Sequence, residues 1–187
     1  EKRGFKTITI FGPRRAGKTF FLFSIAKEYI KTYNSVENIV YINFEDNRLI
    51  SLTADKLDII TSAFGQLYPD IKPVLFLDEI QNIKGWERFV RRLYDYGNKV
   101  FITGSNASML SRELGTHLTG RFIGMELYPF SFRELVKYKK NGEIDLWSTK
   151  GKAELQAFFQ DCLFNGGFPS YINNRNEEYL KSLYDSI

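Results

Sequence analysis

The segment GPRRAGKT, from Gly12 to Thr19, constrains the fold more than any other part of this sequence. A short β-branched run from Lys6 to Phe11 precedes it, and apolar residues at helical spacing follow it as far as about Tyr33. A strand, a glycine-containing turn and a helix in this order bring backbone N–H groups to a helix N-terminus, where anions bind. The spacing is a complete Walker A motif, so it predicts a site for a polyphosphate.

Each residue of this phosphate loop, Gly12 to Thr19, has an expected part in holding a nucleotide. Lys18 is expected to reach the β and γ phosphates, and Thr19 to offer its hydroxyl to Mg²⁺. Arg14 and Arg15 either add positive charge near the phosphates or project to solvent and meet a partner. We favour the second because the backbone does the cradling. The expected nucleotide contacts are Gly12, Pro13, Arg14, Arg15, Ala16, Gly17, Lys18, Thr19 and Phe20.

A second motif, VLFLDEIQ from Val74 to Gln81, supplies two adjacent carboxylates at the end of an apolar strand. Mg²⁺ prefers oxygen ligands, so Asp78 is the expected metal carboxylate together with Thr19. Glu79 follows at the end of the strand, where it is expected to orient and partly deprotonate an attacking water. The two motifs together predict ATP and Mg²⁺ as ligands and an ATPase activity.

Polar residues at two further strand ends are candidates for contacts to the γ phosphate or to Glu79. FITGSNA supplies Thr103, Ser105 and Asn106; either Thr103 or Asn106 is the expected sensor, although Asn106 equally suits the cap of the next helix. Asn43, near the end of the second predicted strand, is a candidate to hold Glu79 in a resting position.

Arg121, in the segment LTGR, is the best candidate for an arginine that stabilises developing charge. It could act from its own chain or from a neighbouring copy. The alternative for Arg121 is a surface salt bridge. The expected catalytic residues are therefore Glu79, Lys18 and Arg121.

The alternation of strand and helix continues beyond the first motif. Strands are predicted over Asn38 to Phe44, Val74 to Leu77, Val100 to Thr103 and Arg121 to Leu127, and helices over Ala54 to Tyr68, Trp86 to Tyr96 and Asn106 to Leu114. Such alternation predicts a parallel sheet covered by helices on both faces. We therefore expect an α/β fold of the P-loop NTPase type, a three-layer α/β/α sandwich on a five-stranded parallel sheet.

Residues 131–187 are predicted to form a helical lid or linker after a core of residues 1–130. Ser131 and Glu134 have the spacing of a capping box, which predicts a helix start. Cys162 shares an apolar helical face with neighbouring residues, so it is expected to be a packed small hydrophobe. Because the chain does not begin with Met and its helical periodicity continues to Ile187, we expect it to be part of a longer protein.

Bulk properties favour a cytoplasmic protein without a membrane segment. No apolar run approaches the roughly 18 residues of a membrane helix, and a single cysteine cannot form an internal disulfide, which favours a reducing compartment. The 26 basic and 22 acidic residues give a net charge of +4, which permits nucleic acid without demanding it. Self-association and a nucleic-acid or protein client remain open.

Other nucleotide chemistries fit the sequence less well. A GTPase needs NKxD, and the nearest segment, Asn98 to Phe101, lacks the aspartate that pairs with guanine. A small-molecule kinase is disfavoured because Glu79 suits activation of water better than transfer to a bound acceptor. A slow nucleotide-dependent switch or scaffold, with or without nucleic acid, is the rival that stays open. The basic stretches are more typical of solvated helix faces; they are Arg88, Arg91, Arg92, Lys137, Lys139 and Lys140.

Seven segments occur in order along the chain, namely GPRRAGKT, LFLDEIQ, WERFVRRLYDYG, ITGSNASML, LTGR, ELYPFSFREL and GGFP. Together they resemble a large prokaryotic group of AAA+ superfamily ATPases. The resemblance implies the strand order 5-1-4-3-2 and a C-terminal domain of unassigned function that this chain barely begins. It also implies Lys18 and Thr19 as nucleotide ligands, Asp78 and Glu79 as the metal and water carboxylates, and the GSN turn as the sensor. Phe20 departs from the hydroxyl residue that is commoner after Thr19.

Overall fold

The computed structural model describes residues 6–105, 120–140, 145, 147–174 and 181. The chain divides into two compact units. The first comprises Glu1–Gly12 and Lys18–Glu126, and the second comprises Pro13–Gly17 and Leu127–Ile187. The helix predicted over Asn106 to Leu114 lies outside the described residues.

The first unit is built on a five-stranded parallel sheet in the order β2-β3-β4-β1-β5. The strands are β1 Thr7–Phe11, β2 Ile39–Asn43, β3 Val74–Asp78, β4 Lys99–Gly104 and β5 Phe122–Glu126. Numbered from the opposite side, this is the order 5-1-4-3-2. The α/β fold class and the strand order expected from the sequence are therefore confirmed.

β3 lies in the interior of the sheet, and all its residues are buried. A continuous apolar run of this kind is typical of a parallel strand covered on both faces. Phe76 stacks on Phe101 of β4, with ring centroids 4.8 Å apart and planes 6° from parallel. The register pairs Asp78 with Asn43 of β2, so the two strands end level with each other. We call the side of the sheet where the strands end the carboxyl edge.

The helices of the first unit's described residues are α1 Lys18–Tyr33, α2 Ile59–Leu67 and α3 Trp86–Asp95. α3 buries apolar residues at the i, i+3, i+4 and i+7 spacing that lines one helical face, and they are Trp86, Phe89, Val90 and Leu93. These side chains join the buried residues of β3 and β4 in one core cluster. The core therefore fixes β3 and β4, whose carboxyl ends carry the candidate polar residues.

The helix predicted over Ala54 to Tyr68 begins later than expected. Ala54–Lys56 is a separate 3₁₀ turn, and α2 begins at Ile59. The N–H groups of Leu57 and Ile60 bond to carbonyls three residues back, and Leu57 is fully buried in this tighter turn. The apolar spacing predicts the α-helix correctly from Ile59 onward, where backbone N–H groups begin to bond to carbonyls four residues back.

The second unit contains α4 Phe132–Lys139, α5 Thr149–Asn165 and α6 Pro169–Asn174. The capping box at the start of α4 is confirmed, since Ser131 N donates to Glu134 Oε2 at 2.8 Å and Ser131 Oγ accepts from Glu134 N at 3.4 Å. Cys162 of α5 is partly buried. Within the described parts of the chain, no helix combines the length and apolar character that a membrane span requires.

The buried position of β3 leads to a stability prediction. Leu77→Ala removes a fully buried side chain next to Asp78, so we expect it to lower the free energy of unfolding by about 2–5 kcal/mol. Leu67→Ala, at a residue that is 74% exposed in α2, is the matched control and should change it by less than about 0.5 kcal/mol. Urea unfolding of both variants measures the difference, and equal midpoints would contradict the assignment of Leu77 to the core.

Candidate functional site

The phosphate loop turns tightly between β1 and α1. Arg15 and Gly17 have φ angles of 63° and 99°, and Ala16 N donates to Pro13 O at 3.3 Å. Left-handed residues directly before a helix N-terminus are typical of backbone loops that bind anions. Arg14 and Arg15 are exposed, and Phe20 is 80% exposed at the start of α1.

Lys18 is the first residue of α1 and its side chain is buried. Its Nζ donates to Gly12 O at 3.2 Å and lies 3.4 Å from Glu79 Oε1. A buried ammonium needs such compensation, because removing it from water costs on the order of several kcal/mol. The loop carbonyl and the carboxylate therefore hold Lys18 at the carboxyl edge, where the sequence predicts phosphate.

Asp78 ends β3 and is only 1% exposed. Thr103 Oγ1 of β4 donates to its Oδ1, and Tyr41 OH of β2 donates to its Oδ2 at 3.0 Å. Burial raises the pKa of the Tyr41 phenol, and the negative charge of Asp78 raises it further, so Tyr41 stays a donor. Side chains from both neighbouring strands thus fix the orientation of this carboxylate.

Glu79 follows in a left-handed backbone conformation, with φ 52° and ψ 44°. Its N–H donates to Thr103 Oγ1 at 2.9 Å, so one hydroxyl links the two carboxylate residues. Its Oε2 accepts from Gln81 Nε2 at 2.5 Å and from Ser105 N at 3.2 Å. The Glu79 carboxylate is therefore oriented at both oxygens, because Oε1 lies beside Lys18.

The donor set at this edge suits a magnesium ion that is shared with phosphates. Thr19 offers a hydroxyl one residue after Lys18, and Asp78 offers a carboxylate. Among the described residues no group of three or more His, Cys, Asp or Glu side chains could hold a metal alone. Mg²⁺ commonly takes few protein oxygens and completes its shell with water and substrate phosphate, so the residues fit it in that role.

Arg121 lies on the side of the sheet where the strands begin, opposite the carboxyl edge. It immediately precedes β5, whose Phe122 pairs with Thr7 at the beginning of β1, whereas the phosphate loop follows the end of β1. Its Nη1 is 3.7 Å from Asp95 Oδ1, and its guanidinium lies 5.6 Å from the centroid of the Tyr94 ring. A strand of this length separates Arg121 from Gly12 by roughly 15 Å. Within the first unit, therefore, Arg121 does not lie beside Gly12 and Lys18.

The contact predicted between Asn43 and Glu79 was wrong. Asn43 Oδ1 accepts from the N–H of Glu45 at 2.9 Å, so the amide closes its own turn at the end of β2. Gln81 and Ser105 bind the Glu79 carboxylate instead. Asn106, the other sensor candidate, lies outside the described residues.

Two residues near the carboxylates were missed in the sequence. Gln81 lies two residues after Glu79 in the same motif, and Tyr41 lies two residues before the end of β2. Because Gln81 lies only two residues from Glu79, the sequence could have indicated their contact, whereas the contact of Tyr41 with Asp78 depends on pairing between strands.

Gly17 has a neighbour in the second unit that no local sequence pattern indicates. A Cβ added at Gly17 would lie 3.8 Å from Pro169 Cγ of the GGFP segment.

Four of the six residues in the basic stretches lie close to acidic neighbours. On α3, Arg91 lies 3.8 Å from Asp95 and Arg92 lies 2.8 Å from Asp58. In the second unit Lys140 pairs with Glu154 at 2.6 Å, and Lys139 pairs with Asp161. Paired charges of this kind are typical of solvated helix faces and do not favour a nucleic-acid groove.

Comparison with known families and proteins gives consistent matches. A family model described as AAA domain matches residues 4–136. An uncharacterized protein of Methanocaldococcus jannaschii is 40% identical over 188 residues, covering 97% of this chain and 41% of the relative. An uncharacterized protein of Haemophilus influenzae is 33% identical over 189 residues, covering 95% of this chain and 44% of the relative. The chain thus spans less than half the length of these curated relatives.

Among solved structures, the crystal structure of Cdc6p from Pyrobaculum aerophilum is similar in fold. The TM-score is 0.53 at 16% sequence identity, and the match covers 74% of this chain and 43% of that chain. At this identity the similarity bears on the fold alone.

The hydroxyl of Thr103 provides a second stability prediction. Thr103→Val leaves a buried oxygen of Asp78 and the N–H of Glu79 without their partner, so we expect a loss of about 1–3 kcal/mol in unfolding free energy. The matched control is Thr9→Val on β1, whose hydroxyl is fully buried without a hydrogen-bond partner among the described residues. Thr9→Val should be neutral or stabilising, and equal losses in thermal unfolding would contradict the role of Thr103.

Proposed function

The chain belongs to the AAA domain family, and from this premise we propose that it binds Mg-ATP and hydrolyses the bond to the γ phosphate. Family membership makes the domain a nucleotide-binding, ATPase-type domain. Hydrolysis, the residues that perform it and its coupling to a partner are proposals that rest on the geometry of the carboxyl edge.

The observation that carries the proposal is the distance of 3.4 Å between Lys18 Nζ and Glu79 Oε1. The cation expected to bind the phosphates and the carboxylate expected to bind the water therefore lie together at the carboxyl edge. Asp78 lies next to Glu79 and is fixed by donors from two strands. Phosphoryl chemistry depends mainly on positioning and charge stabilisation, which are the functions that this arrangement supplies.

The proposed reaction is an in-line displacement by water. Glu79 accepts a hydrogen bond from the water and takes up its proton as the oxygen attacks the γ phosphorus. The bond between the γ phosphorus and the bridging oxygen breaks, so the products are ADP and inorganic phosphate. Lys18 offsets the negative charge that develops on the phosphate oxygens.

Thr19 and Asp78 are the residues that would hold the magnesium ion. When bound, the ion would supply positive charge beside the phosphate oxygens. Asp78 is held by Thr103 and Tyr41 through hydrogen bonds, so its carboxylate is oriented before nucleotide arrives. This is the preorganisation that electrostatic catalysis needs.

We propose further that nucleotide state is coupled to a conformational change or a partner. A γ phosphate that binds Lys18 withdraws the ammonium from two groups near it, the Glu79 carboxylate and the Gly12 carbonyl. Gly12 and Glu79 follow the ends of β1 and β3, which are interior strands. Replacing their contacts with Lys18 by contacts between Lys18 and the phosphate therefore alters the carboxyl edge. Arg121, at the opposite edge, contributes to the reaction only from a neighbouring copy, which implies self-association.

Glu79→Gln tests the assignment of hydrolysis. We expect ATP to bind with unchanged affinity while kcat falls by about 100- to 10,000-fold, because the amide cannot accept the proton of the water. Lys18→Ala, in contrast, should lose ATP binding. Nucleotide titration and phosphate release measure the two quantities on the intact protein.

The outcomes of this experiment separate the two candidate functions. If the wild-type protein binds ATP but releases no phosphate, it is a nucleotide-dependent switch and not an ATPase. If Glu79→Gln hydrolyses ATP at the wild-type rate, another group activates the water.

Mixing two variants tests whether Arg121 acts in a neighbouring copy. Arg121→Ala leaves its own phosphate loop and Glu79 intact, whereas Glu79→Gln leaves Arg121 intact. An equimolar mixture should hydrolyse ATP faster than either variant alone, because mixed assemblies contain sites with both groups. Undiminished turnover by Arg121→Ala at every protein concentration would show that Arg121 has no part in the reaction.

A further inference from the structure

Gln81 occupies a position between the catalytic candidate Glu79 and the end of β4. Its Nε2 lies 2.5 Å from Glu79 Oε2 and 3.3 Å from Ser105 Oγ. The N–H of Ser105 donates to the same Glu79 oxygen at 3.2 Å. Two donors thus fix Oε2, and the remaining oxygen, Oε1, lies on the Lys18 side of the carboxylate.

The backbone at this point is held in an unfavourable conformation. Glu79 has a left-handed φ of 52°, which L residues adopt at a cost in energy. Its N–H bond to Thr103 and the 3₁₀ turn Ile80–Asn82 that follows maintain it. Strained residues persist where their surroundings determine them fully, and they cluster at functional sites. The turn also sets the distance over which Gln81 reaches back to Glu79.

The Gln81 side chain is not arranged for stability alone. Its Oε1 is buried and has no hydrogen-bond partner among the described residues. A buried acceptor without a donor is unfavourable compared with an apolar group of the same shape. A methionine would fill the same space without an unsatisfied oxygen. The amide is therefore accounted for by what its nitrogen holds, namely the Glu79 carboxylate.

We propose that Gln81 is a positioning residue for the hydrolytic water. With Ser105 N it anchors Glu79 Oε2, so that Oε1 is presented beside Lys18, where the γ phosphate and its attacking water come together. Gln81 does not touch the reacting atoms; it acts through Glu79. The inference rests on the proposed ATP hydrolysis and on Glu79 as its base.

Gln81→Met in the intact protein is the first test. The variant keeps the length of the side chain and removes the donor, so Glu79 loses one of its two anchors. We expect kcat for ATP to fall by about 10- to 100-fold, because misplaced groups of this kind lose rate by that order. The KM for ATP should stay within about twofold, since Lys18 and the phosphate loop are unchanged.

Asn82→Ala is the matched control. Asn82 is the next residue of the same turn and is exposed, and its side-chain amide donates a long bond of 3.4 Å to Phe44 O. The kcat and KM of the Asn82→Ala variant should equal those of the wild type. A fall in kcat for Asn82→Ala equal to that for Gln81→Met would attribute the effect to the turn and overturn the proposal.

Gln81→Glu keeps the size of the side chain and places a second acceptor beside Glu79 Oε2 where the donor was. Repulsion between the two carboxylates should displace Glu79, so we expect kcat to fall further than in Gln81→Met while the KM for ATP stays within about twofold. A kcat equal to that of the wild type would contradict the contact.

The outcomes distinguish this inference from the proposed function. If the wild type hydrolyses ATP and Glu79→Gln does not, but Gln81→Met retains the wild-type kcat, only the role of Gln81 is wrong. If Gln81→Met raises kcat, the contact restrains Glu79 and the proposal is likewise overturned. If the wild type does not hydrolyse ATP, both proposals fail together.

Discussion

The burial of three ionisable side chains at one edge of a parallel sheet determines how the rest of this site is built. Lys18, Asp78 and Glu79 are each no more than 9% exposed. Charges removed from water are tolerated only when nearby charges and hydrogen bonds compensate for them. Lys18 and Glu79 compensate each other, whereas Asp78 depends on hydroxyl donors from β2 and β4. The sheet and the site therefore stabilise each other.

The hydroxyl of Thr103 shows how closely fold and site are connected. It donates to Asp78 and accepts from the N–H of Glu79, so a single atom joins the end of β3 to β4. The parallel register brings Leu77 level with Ile102, and Thr103 is the next residue of its strand. Because the apolar residues of β3 and β4 fix that register, core packing places the polar groups at the edge to within hydrogen-bonding distance.

Much of this arrangement follows from the sequence, and the remainder depends on contacts between strands. The two motifs predict Lys18, Asp78 and Glu79 as one cluster because carboxyl ends of parallel strands meet at one edge. The contact of Tyr41 with Asp78 depends on strand pairing, for which the sequence offers no local signal. Asn43 was assigned to Glu79 because it ends the neighbouring strand, but its amide closes a turn with Glu45 instead.

The position of Arg121 also required the fold. In the sequence it is simply an arginine after a glycine, equally suited to its own chain or to a neighbour. The parallel pairing of β1 with β5 places it at the beginning of the strands, while Gly12 follows the end of β1. A parallel sheet thus separates residues by which end of a strand they flank, a distinction that residue type and spacing along the chain do not contain.

A neutral donor at residue 81 is consistent with the charge balance of the site. Glu79 carries one negative charge, and Lys18 is the cation that lies beside it. A lysine or arginine in place of Gln81 would bind the carboxylate more strongly and neutralise it, which would weaken its attraction for the proton of water. An apolar residue would leave Ser105 N as the single donor to Oε2. An amide orients the carboxylate while leaving its charge intact, which is the combination that activation of water requires.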